Sequence, residues 1–233
     1  MIAIRQFRYS SDNFGYLIHN QRFAMAIYAG AVQSILSYIK HHGLELNYVT
    51  NTHSHTDHTS GNAAVLKASG ARFIPAEEIV RLPAIEWEGH PVHIYPTPGH
   101  THDSICFHID SFLITGDTLF NGTVGNCFTG DLKGFYDSIK RLMSLPEDTR
   151  VYAGHDYVKN AMHFAKQLEP DNSAIDHFLR TYNPANVYST LHDELNINPY
   201  LRFNQKGIIS ILEARGLPVD TEYQRWESVM HLE

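Results

Sequence analysis

The sequence has few cysteines and no long apolar run. Its 233 residues include two cysteines, Cys106 and Cys127, too few for a disulfide framework. Cys106 lies in the apolar stretch SICFHI and is predicted to be a small buried side chain. No uninterrupted apolar run approaches the roughly 20 residues of a membrane helix, and the N-terminal segment lacks the apolar core of a secretory signal. These absences predict a soluble cytoplasmic protein with no membrane partner.

Positive charge is also scarce. Lysine and arginine together number 18 against 25 acidic residues, which gives a formal net charge of −7. No basic run is present that could follow a phosphate backbone, so nucleic acid is excluded as a predicted partner. The length suffices for a sizeable hydrophobic core. The sequence contains no internal repeat and no low-complexity segment. These global numbers fit a soluble enzyme.

Histidine, in contrast, is abundant, and the run THSHTDH places His53, His55, Asp57 and His58 within six residues. Imidazole nitrogen and carboxylate oxygen are ordinary ligands of zinc and its first-row neighbours. The preceding residues 46–52 are typical of a strand, and the following stretch is typical of a short helix. Side chains two apart in an extended segment point the same way, so His53 and His55 share one direction. Asp57 and His58 follow the turn and could serve an adjacent metal position.

Three further metal-competent residues stand in the same local context. Each follows a short apolar stretch, with glycine in the turn: residues 92–95 before His100, 112–115 before Asp117 and 151–153 before His155. Ligands of open sheets tend to lie beyond the carboxyl ends of the strands. Four strand ends that meet at one edge would therefore supply seven ligands, five histidines and two aspartates.

These motifs carry a family resemblance. THSHTDH, PGHT, TGDTLF and GHDY, in this order, resemble the metallo-β-lactamase superfamily, and within it the glyoxalase II (hydroxyacylglutathione hydrolase) branch, over about the first 170 residues. The aspartate of TGD argues against the lactam-hydrolysing branch, where a cysteine is common in the second metal set. The resemblance implies two divalent metal ions, most often zinc, with iron or manganese also compatible. It implies these ligand sets: His53, His55 and His100 for one ion, Asp57, His58 and His155 for the other, and Asp117 bridging both.

The resemblance also implies the fold. It predicts an α+β protein, a four-layer αβ/βα sandwich of two mixed β-sheets, with residues 1–157 as the catalytic domain. Residues 158–233 would form a helical extension that contributes to the substrate cleft. The residue pattern itself predicts these elements: strands at 2–8, 14–19, 22–28, 72–75 and 92–95, a hairpin around Asp110–Ser111, helices at 31–42, 60–70 and 131–144, two helices within 157–183 split at Pro170, a Pro- and Asn-rich connection at 183–200, and helices at 206–215 and 220–231.

The predicted chemistry is hydrolysis of an acyl thioester. Two metal ions about 3.5–4 Å apart can share a bridging water and lower its pKa towards ~7, so that hydroxide can attack a carbonyl carbon. Asp117 would hold the ions together, and Asp57 could orient the hydroxide. A thiolate leaving group has a pKa near ~8.5 and needs no strong general acid. The same machinery would open a lactone, so a lactonase remains an alternative.

The loop after Asp117 departs from the family pattern. Glyoxalase II enzymes carry a basic residue and a tyrosine in a pattern like GCG(K/R)xYEGT, whereas the loop here reads GTVGNCFTG, with Asn126 and Phe128 at those positions. Tyr157 in GHDY matches a family position that contacts the thiol carrier, and Arg202 in NPYLRF matches an arginine region loosely. These four residues are the predicted substrate contacts. Without the cation, recognition of glutathione is expected to be weak.

Two other classes of function remain open. Persulfide dioxygenases resemble this fold and hold one iron with two histidines and one aspartate; the equivalents here would be His53, His100 and Asp117. A non-catalytic scaffold of the same fold is the third class, and the seven filled ligand positions argue against it. The metal content of the purified protein separates the three: about two ions, one iron, or none.

Overall fold

The structure is a computed structural model that describes residues 1–232. The strands are β1 (Ala3–Tyr9), β2 (Asn13–His19), β3 (Phe23–Ile27), β4 (Glu45–Thr50), β5 (Arg72–Ile74), β6 (Ala84–Trp87), β7 (His90–Pro96), β8 (Ile105–Ile109), β9 (Phe112–Gly116), β10 (Leu119–Phe120), β11 (Thr123–Val124), β12 (Arg150–Ala153) and β13 (Ser189–Thr190). The helices are α1 (Val32–His42), α2 (Thr56–Thr59), α3 (Asn62–Ser69), α4 (Ala76–Ile79), α5 (Leu132–Met143), α6 (Val158–Leu168), α7 (Ser173–Thr181), α8 (Leu191–Ile197), α9 (Lys206–Ala214) and α10 (Glu222–Met230).

The strands form two mixed sheets and one short hairpin. The first sheet has the order β1-β2-β3-β4-β5, with antiparallel pairs up to β3 and parallel pairs beyond it. The second has the order β13-β12-β9-β8-β7-β6, in which only β12 and β9 are parallel. The hairpin is β10-β11. The prediction of an α+β fold with two mixed sheets is confirmed.

The main core lies between the two sheets, and helices cover their outer faces. Strand β2 shows why: Tyr16 and Ile18 belong to the core shared with the second sheet, whereas Leu17 packs with Ile35 and Ile39 of α1 on the other face. Because both faces are covered, the strand is apolar along its length and does not alternate. On the far side, α5, α9 and α10 cover the second sheet in a separate core cluster.

Residues 183–200 correct one expectation. The sequence predicted a Pro- and Asn-rich connection there, whereas the structure has strand β13 and helix α8. The side chain of Thr190 accepts from the amide of Asp193 and the side chain of Asp193 accepts from the amide of Thr190, which forms a capping box. This stabilised helix start permits a helix between two proline-containing turns. The C-terminal segment thus adds a strand to the second sheet as well as helices.

Other elements differ in detail from the predicted ones. The helix expected at 60–70 is preceded by a separate short helix, α2, which carries Asp57 and His58. The short elements β6, α4 and the β10–β11 hairpin were not predicted, because elements of two to four residues leave no periodic signal. The split near Pro170 is confirmed, since α6 ends at Leu168 and the side chain of Asn172 caps α7.

The helices are short. Helix α5 has 12 residues, which corresponds to about 18 Å at 1.5 Å per residue. Within residues 1–232 no helix has both the length and the apolar character needed to cross a bilayer. The cytoplasmic location stays a prediction.

Candidate metal centre

Three of the predicted ligands follow strands that run in the same direction. Strand β7 is antiparallel to β8, β8 is antiparallel to β9, and β9 is parallel to β12, so β7, β9 and β12 end at one edge. His100, Asp117 and His155 come shortly after those ends. The THSHTDH run follows β4 of the other sheet. A hydrogen bond of 2.9 Å from the amide of Ile105 to the carbonyl of Thr52 joins the sheets at this edge.

The turn that carries the THSHTDH run is held by buried amide side chains. Nδ2 of Asn51 donates to the carbonyl of His58 at 2.8 Å, and Nδ2 of Asn62 donates to Oδ1 of Asn51 at 2.6 Å. His55 occupies the N-cap position of α2, so the chain turns between it and Asp57. The two halves of the motif therefore face two neighbouring positions.

A first cluster contains three imidazoles and one carboxylate. Its possible ligand atoms lie within 4.8 Å of one another and belong to His53, His55, His100 and Asp117. Nε2 of His53 lies 3.2 Å from Nδ1 of His55, and Nε2 of His100 lies 3.1 Å from the same atom. Nδ1 of His100 must carry a hydrogen, because it donates to the carbonyl oxygen of Asn126 at 3.0 Å. In the neutral ring Nε2 of His100 therefore presents a lone pair to the cluster.

A second cluster lies next to the first and contains Asp57, His58 and His155. Nε2 of His155 lies 3.2 Å from Nε2 of His58 and 3.3 Å from Oδ2 of Asp57. Nδ1 of His155 faces Oδ1 of Asp12 at 3.0 Å, which places a hydrogen on that nitrogen. The other ring nitrogen is directed towards His58 and the carboxylates.

Asp117 lies between the two clusters. Its Oδ2 is 3.6 Å from Nε2 of His100 and 3.4 Å from Nε2 of His155, and its Oδ1 is 3.3 Å from Nε2 of His58. Oδ1 is buried and receives no well-oriented hydrogen bond from any of residues 1–232. Gly154 makes this position possible, because a Cβ at residue 154 would lie 2.0 Å from Oδ1 of Asp117. Converging nitrogen lone pairs around an unsatisfied carboxylate oxygen fit a pair of divalent cations.

The protonation states of the cluster agree with this donor set. Burial lowers the pKa of His53 to about 3 and also lowers the pKa of His100, so both imidazoles are neutral near pH 7. Burial opposes ionisation of Asp117, but the neighbouring imidazoles of His155 and His58 outweigh it and hold the pKa of that carboxyl well below its usual range. Neutral imidazole and ionised carboxylate are the forms that bind metal.

His155 shows where positive charge is favoured. Burial alone would lower its pKa, but the carboxylates of Asp117 and Asp12 raise the pKa of His155 to about 9. Asp57 has a lowered pKa: burial opposes its ionisation, while His58, Asn13 and His155 favour it. Three carboxylates thus create a negative environment at the second cluster, which a divalent cation would neutralise.

Several residues behind the ligands were not predicted from the sequence. Asp12, whose Oδ1 faces His155, lies in the turn between β1 and β2, and Asn13, the first residue of β2, donates to Oδ2 of Asp57 at 2.9 Å. Tyr28 contacts the hydroxyl of Thr52, and its own hydroxyl lies 3.2 Å from Nδ1 of His53. The strand before Asp12 contains Arg5, Gln6 and Arg8, so the rule of an apolar stretch followed by a glycine turn does not single out Asp12 and Asn13.

Three of the predicted substrate contacts lie around the clusters. The Phe128 ring is 66% exposed and its centroid lies 5.1 Å from that of His100. Tyr157 stacks on His155 with ring centroids 5.1 Å apart, and burial raises its pKa to about 12. Asn126 and Tyr157 line a cavity of about 170 Å³ between the β10–β11 hairpin and α6.

Arg202 has other partners. Its Nε donates to Oε2 of Glu169 at 2.6 Å, its Nη2 donates to Oε1 at 2.7 Å, and its Nη1 donates to the carbonyl of Leu195 at 3.1 Å. It lines a different surface cavity, of about 460 Å³. A substrate contact through Arg202 would require this bidentate pair to open, and that role stays a prediction.

Comparisons with known proteins agree with the geometry. Residues 18–91 and 72–155 match the family model of the metallo-beta-lactamase superfamily, and residues 156–227 match the model of the hydroxyacylglutathione hydrolase C-terminus. Among solved structures, ETHE1 from Myxococcus xanthus superposes with a TM-score of 0.68 at 25% identity, covering 93% of this chain and 92% of that one.

Two curated relatives allow a more specific assignment within the superfamily. A hydroxyacylglutathione hydrolase from Rhizobium meliloti is 32% identical over 223 residues, covering 87% of each chain. Another, from Chromohalobacter salexigens, is 33% identical over 226 residues, covering 88% of each chain. The chain therefore belongs to the metallo-β-lactamase superfamily and, within it, to the hydroxyacylglutathione hydrolase family.

Proposed function

We propose that this protein is a binuclear metal-dependent hydrolase that cleaves small acyl thioesters. One observation carries the proposal: the Asp117 carboxylate lies within 3.6 Å of ligand nitrogens from both clusters. One carboxylate between two sets of imidazoles can hold two adjacent cations. The names of the curated relatives support hydrolysis of a thioester of glutathione or a similar thiol.

We assign the first metal position to His53, His55 and His100, the second to Asp57, His58 and His155, and the shared position to Asp117. Zinc is the proposed metal, although the same ligands accept iron or manganese, because geometry and supply decide more than affinity. When bound, two such ions would supply a nucleophilic hydroxide at neutral pH and charge stabilisation for the developing oxyanion.

The chain's own groups then position the reactants. The Asp57 side chain is 48% exposed, so it faces the opening of the site, and its Oδ2 already accepts from Asn13. Its lowered pKa keeps it ionised, so it can accept a hydrogen bond from the attacking water. Among the groups named around the clusters, none is a lysine, arginine or protonated carboxylic acid. That composition suits a thiolate, which leaves without a general acid.

We infer that the thiol carrier binds in the cavity between the hairpin and α6. The side chains that line it are uncharged, among them Thr123, Asn126, Tyr157 and Asn160. Such a cavity offers hydrogen bonds but no charge-assisted contact to a carboxylate, and those contacts are the stronger ones. Phe128 would add an apolar wall beside His100. We therefore propose that glutathione thioesters bind weakly, with most of the penalty in KM.

The test combines metal analysis with a substrate panel. We expect about two ions per chain and hydrolysis of glutathione or coenzyme A thioesters faster than that of a lactone. A single iron per chain without thioester hydrolysis would favour an oxidoreductase that uses His53, His100 and Asp117. Faster opening of the lactone would assign the same centre to a lactonase. No bound metal and no turnover would leave a non-catalytic protein and would overturn the proposal.

A further inference from the structure

The β10–β11 hairpin lies beside the candidate metal centre and joins two chain segments that contribute to it. It begins just after Asp117 and leads into Asn126, whose carbonyl accepts from Nδ1 of His100. Its turn contains Gly122, whose φ of 96° favours glycine, and a Cβ there would lie 2.2 Å from the end of the Met162 side chain. This turn therefore lies on the stretch of chain that joins Asp117 to the carbonyl that accepts from His100.

A buried carboxylate of the C-terminal segment holds the turn. Glu194 of α8 has no exposed surface, and the amide of Gly122 donates to both of its oxygens, at 3.1 and 3.0 Å. Oγ of Ser189 donates to Oε1 at 2.6 Å, and Nδ2 of Asn198 donates to Oε2 at 2.8 Å. Among residues 1–232, no lysine, arginine or histidine forms an ion pair with Glu194. A buried carboxyl that is satisfied by neutral donors alone is costly to maintain, which points to a specific role.

The same network ties further hairpin atoms to this segment. Nδ2 of Asn198 also donates to the carbonyl of Thr123 at 3.2 Å. Nδ2 of Asn121 donates to Oγ of Ser189 at 2.7 Å and to the carbonyl of Val151 in β12 at 3.1 Å. Three consecutive residues of the hairpin, 121–123, therefore form hydrogen bonds with side chains of β13, of α8 and of the residue that follows α8.

We propose that Glu194 is a positioning residue of the metal centre. By fixing Gly122 it keeps the hairpin in place, so that Asp117 and the carbonyl of Asn126 meet His100 in the ligand geometry. The C-terminal segment then contributes to metal binding although it supplies none of the proposed ligands. This inference rests on the proposed metal function and concerns only how the centre is held.

The test compares variants of the metal-loaded full chain. Glu194→Ala leaves the Gly122 amide, the Ser189 hydroxyl and the Asn198 amide without their acceptor. We expect metal affinity, measured by competition with a chelator, to fall about tenfold, as for other residues that orient ligands. Hydrogen exchange at the Gly122 amide should become faster. Glu194→Gln keeps an acceptor oxygen for Gly122, and its NH2 can donate to Ser189, so it should restore both quantities to within about threefold.

Asp193→Ala is the matched control. The substitution removes the capping box of the same helix, and the Asp193 side chain makes no contact with the hairpin. We expect it to lower the melting temperature by roughly 2–4 °C and to leave metal affinity and Gly122 exchange unchanged. A purely structural role of Glu194 would make its alanine variant behave like this control, and that result would overturn the proposal.

Two further measurements cover the remaining outcomes. If Glu194→Ala does not fold, Glu194→Asp retains the carboxylate but withdraws it from Gly122 by one methylene, and it should show the same losses. In the natural protein the Gly122 amide must exchange slowly; exchange at the rate of an exposed amide would overturn the proposal without any variant. Failure of the natural protein to bind metal at all would instead contradict the proposed function.

Discussion

The hydroxyl of Tyr28 lies 3.2 Å from Nδ1 of His53, behind the first cluster. Tyr28 is fully buried, has a positive φ of 65°, and packs against His58 with ring centroids 4.2 Å apart and the ring planes tilted by 31°. A bulky residue seldom adopts that backbone conformation, so the surrounding structure must enforce it. One phenol thus contacts an imidazole of each cluster, and we interpret it as a neutral group that orients both rings.

Tyr28→Phe should therefore weaken metal binding without unfolding the protein. The substitution removes the hydroxyl from His53 but keeps the ring that packs on His58. Because Thr52 still contacts Nδ1 of His53 at 3.0 Å, we expect a loss of metal affinity of about tenfold at most. Chelator competition measures it. Tyr38→Phe, which removes a hydroxyl from His19, is the control, and equal affinities in the two variants would contradict the interpretation.

Asp117→Asn should lower thioester hydrolysis by at least about a hundredfold and release at least one metal ion. Asparagine keeps one oxygen but loses the charge that offsets two cations, and its NH2 group would face imidazole nitrogens. Activity and metal content per chain are the measurements. Asp110→Asn, in the exposed turn between β8 and β9, controls for the loss of one carboxylate. Full activity with unchanged metal content in the Asp117 variant would show that this residue does not bridge.

Much of the candidate centre could be predicted because the side chains that form its two clusters follow local rules. The THSHTDH run is contiguous, and His100, Asp117 and His155 each follow an apolar strand. Asp12 and Asn13 follow β1, which contains Arg5, Gln6 and Arg8, so the same rule does not single them out. Their contacts with His155 and Asp57 depend on an isolated bridge between residues 13 and 155, which no local pattern reveals.

The structure of the C-terminal segment was harder to predict from the sequence. The spacing of Thr190 and Asp193 is typical of a helix start. The flanking prolines and asparagines nevertheless led to the prediction of a connection. The partner of Glu194, Gly122, lies 72 residues away in the chain. A glutamate on a short helix is usually exposed, so its burial becomes evident only once the two sheets and the helices are assembled.

Glu194 also predicts a pH dependence of stability. Burial raises the pKa of Glu194 to about 7 from an ordinary value of 4.5, although its hydrogen-bond donors oppose the shift. The folded state then holds this proton more tightly than the unfolded state. The contribution of Glu194 to the free energy of unfolding is fully present below about pH 4.5 and is lost as the pH rises through about 7. At about 1.4 kcal/mol for each pKa unit, the upper limit is ~3 kcal/mol.

We therefore expect the difference in the free energy of unfolding, natural protein minus Glu194→Gln, to decrease between pH 4.5 and 7. Above pH 7 this difference should level off. The difference cancels the titration of the metal ligands, which both proteins share. Glu213→Gln, at an exposed position, controls for the loss of a carboxyl. A difference that stays constant across this range would show that Glu194 remains ionised throughout.

The last prediction concerns the thiol carrier. Asn126→Lys combined with Phe128→Tyr should lower KM for a glutathione thioester about tenfold and leave kcat nearly unchanged. These groups would contact the remote carrier and not the reacting carbonyl, so they add equally to substrate and transition-state binding. A charge-assisted hydrogen bond is worth ~1.5–3 kcal/mol, and the 66% exposure of Phe128 places the gain at the lower end of that range. Gln33→Lys, on the exposed face of α1, adds the same charge elsewhere and should leave KM unchanged. If the natural protein already hydrolyses a glutathione thioester with a low-micromolar KM, another residue must bind the carrier's carboxylates. Arg202, released from Glu169, would then be the first residue to test.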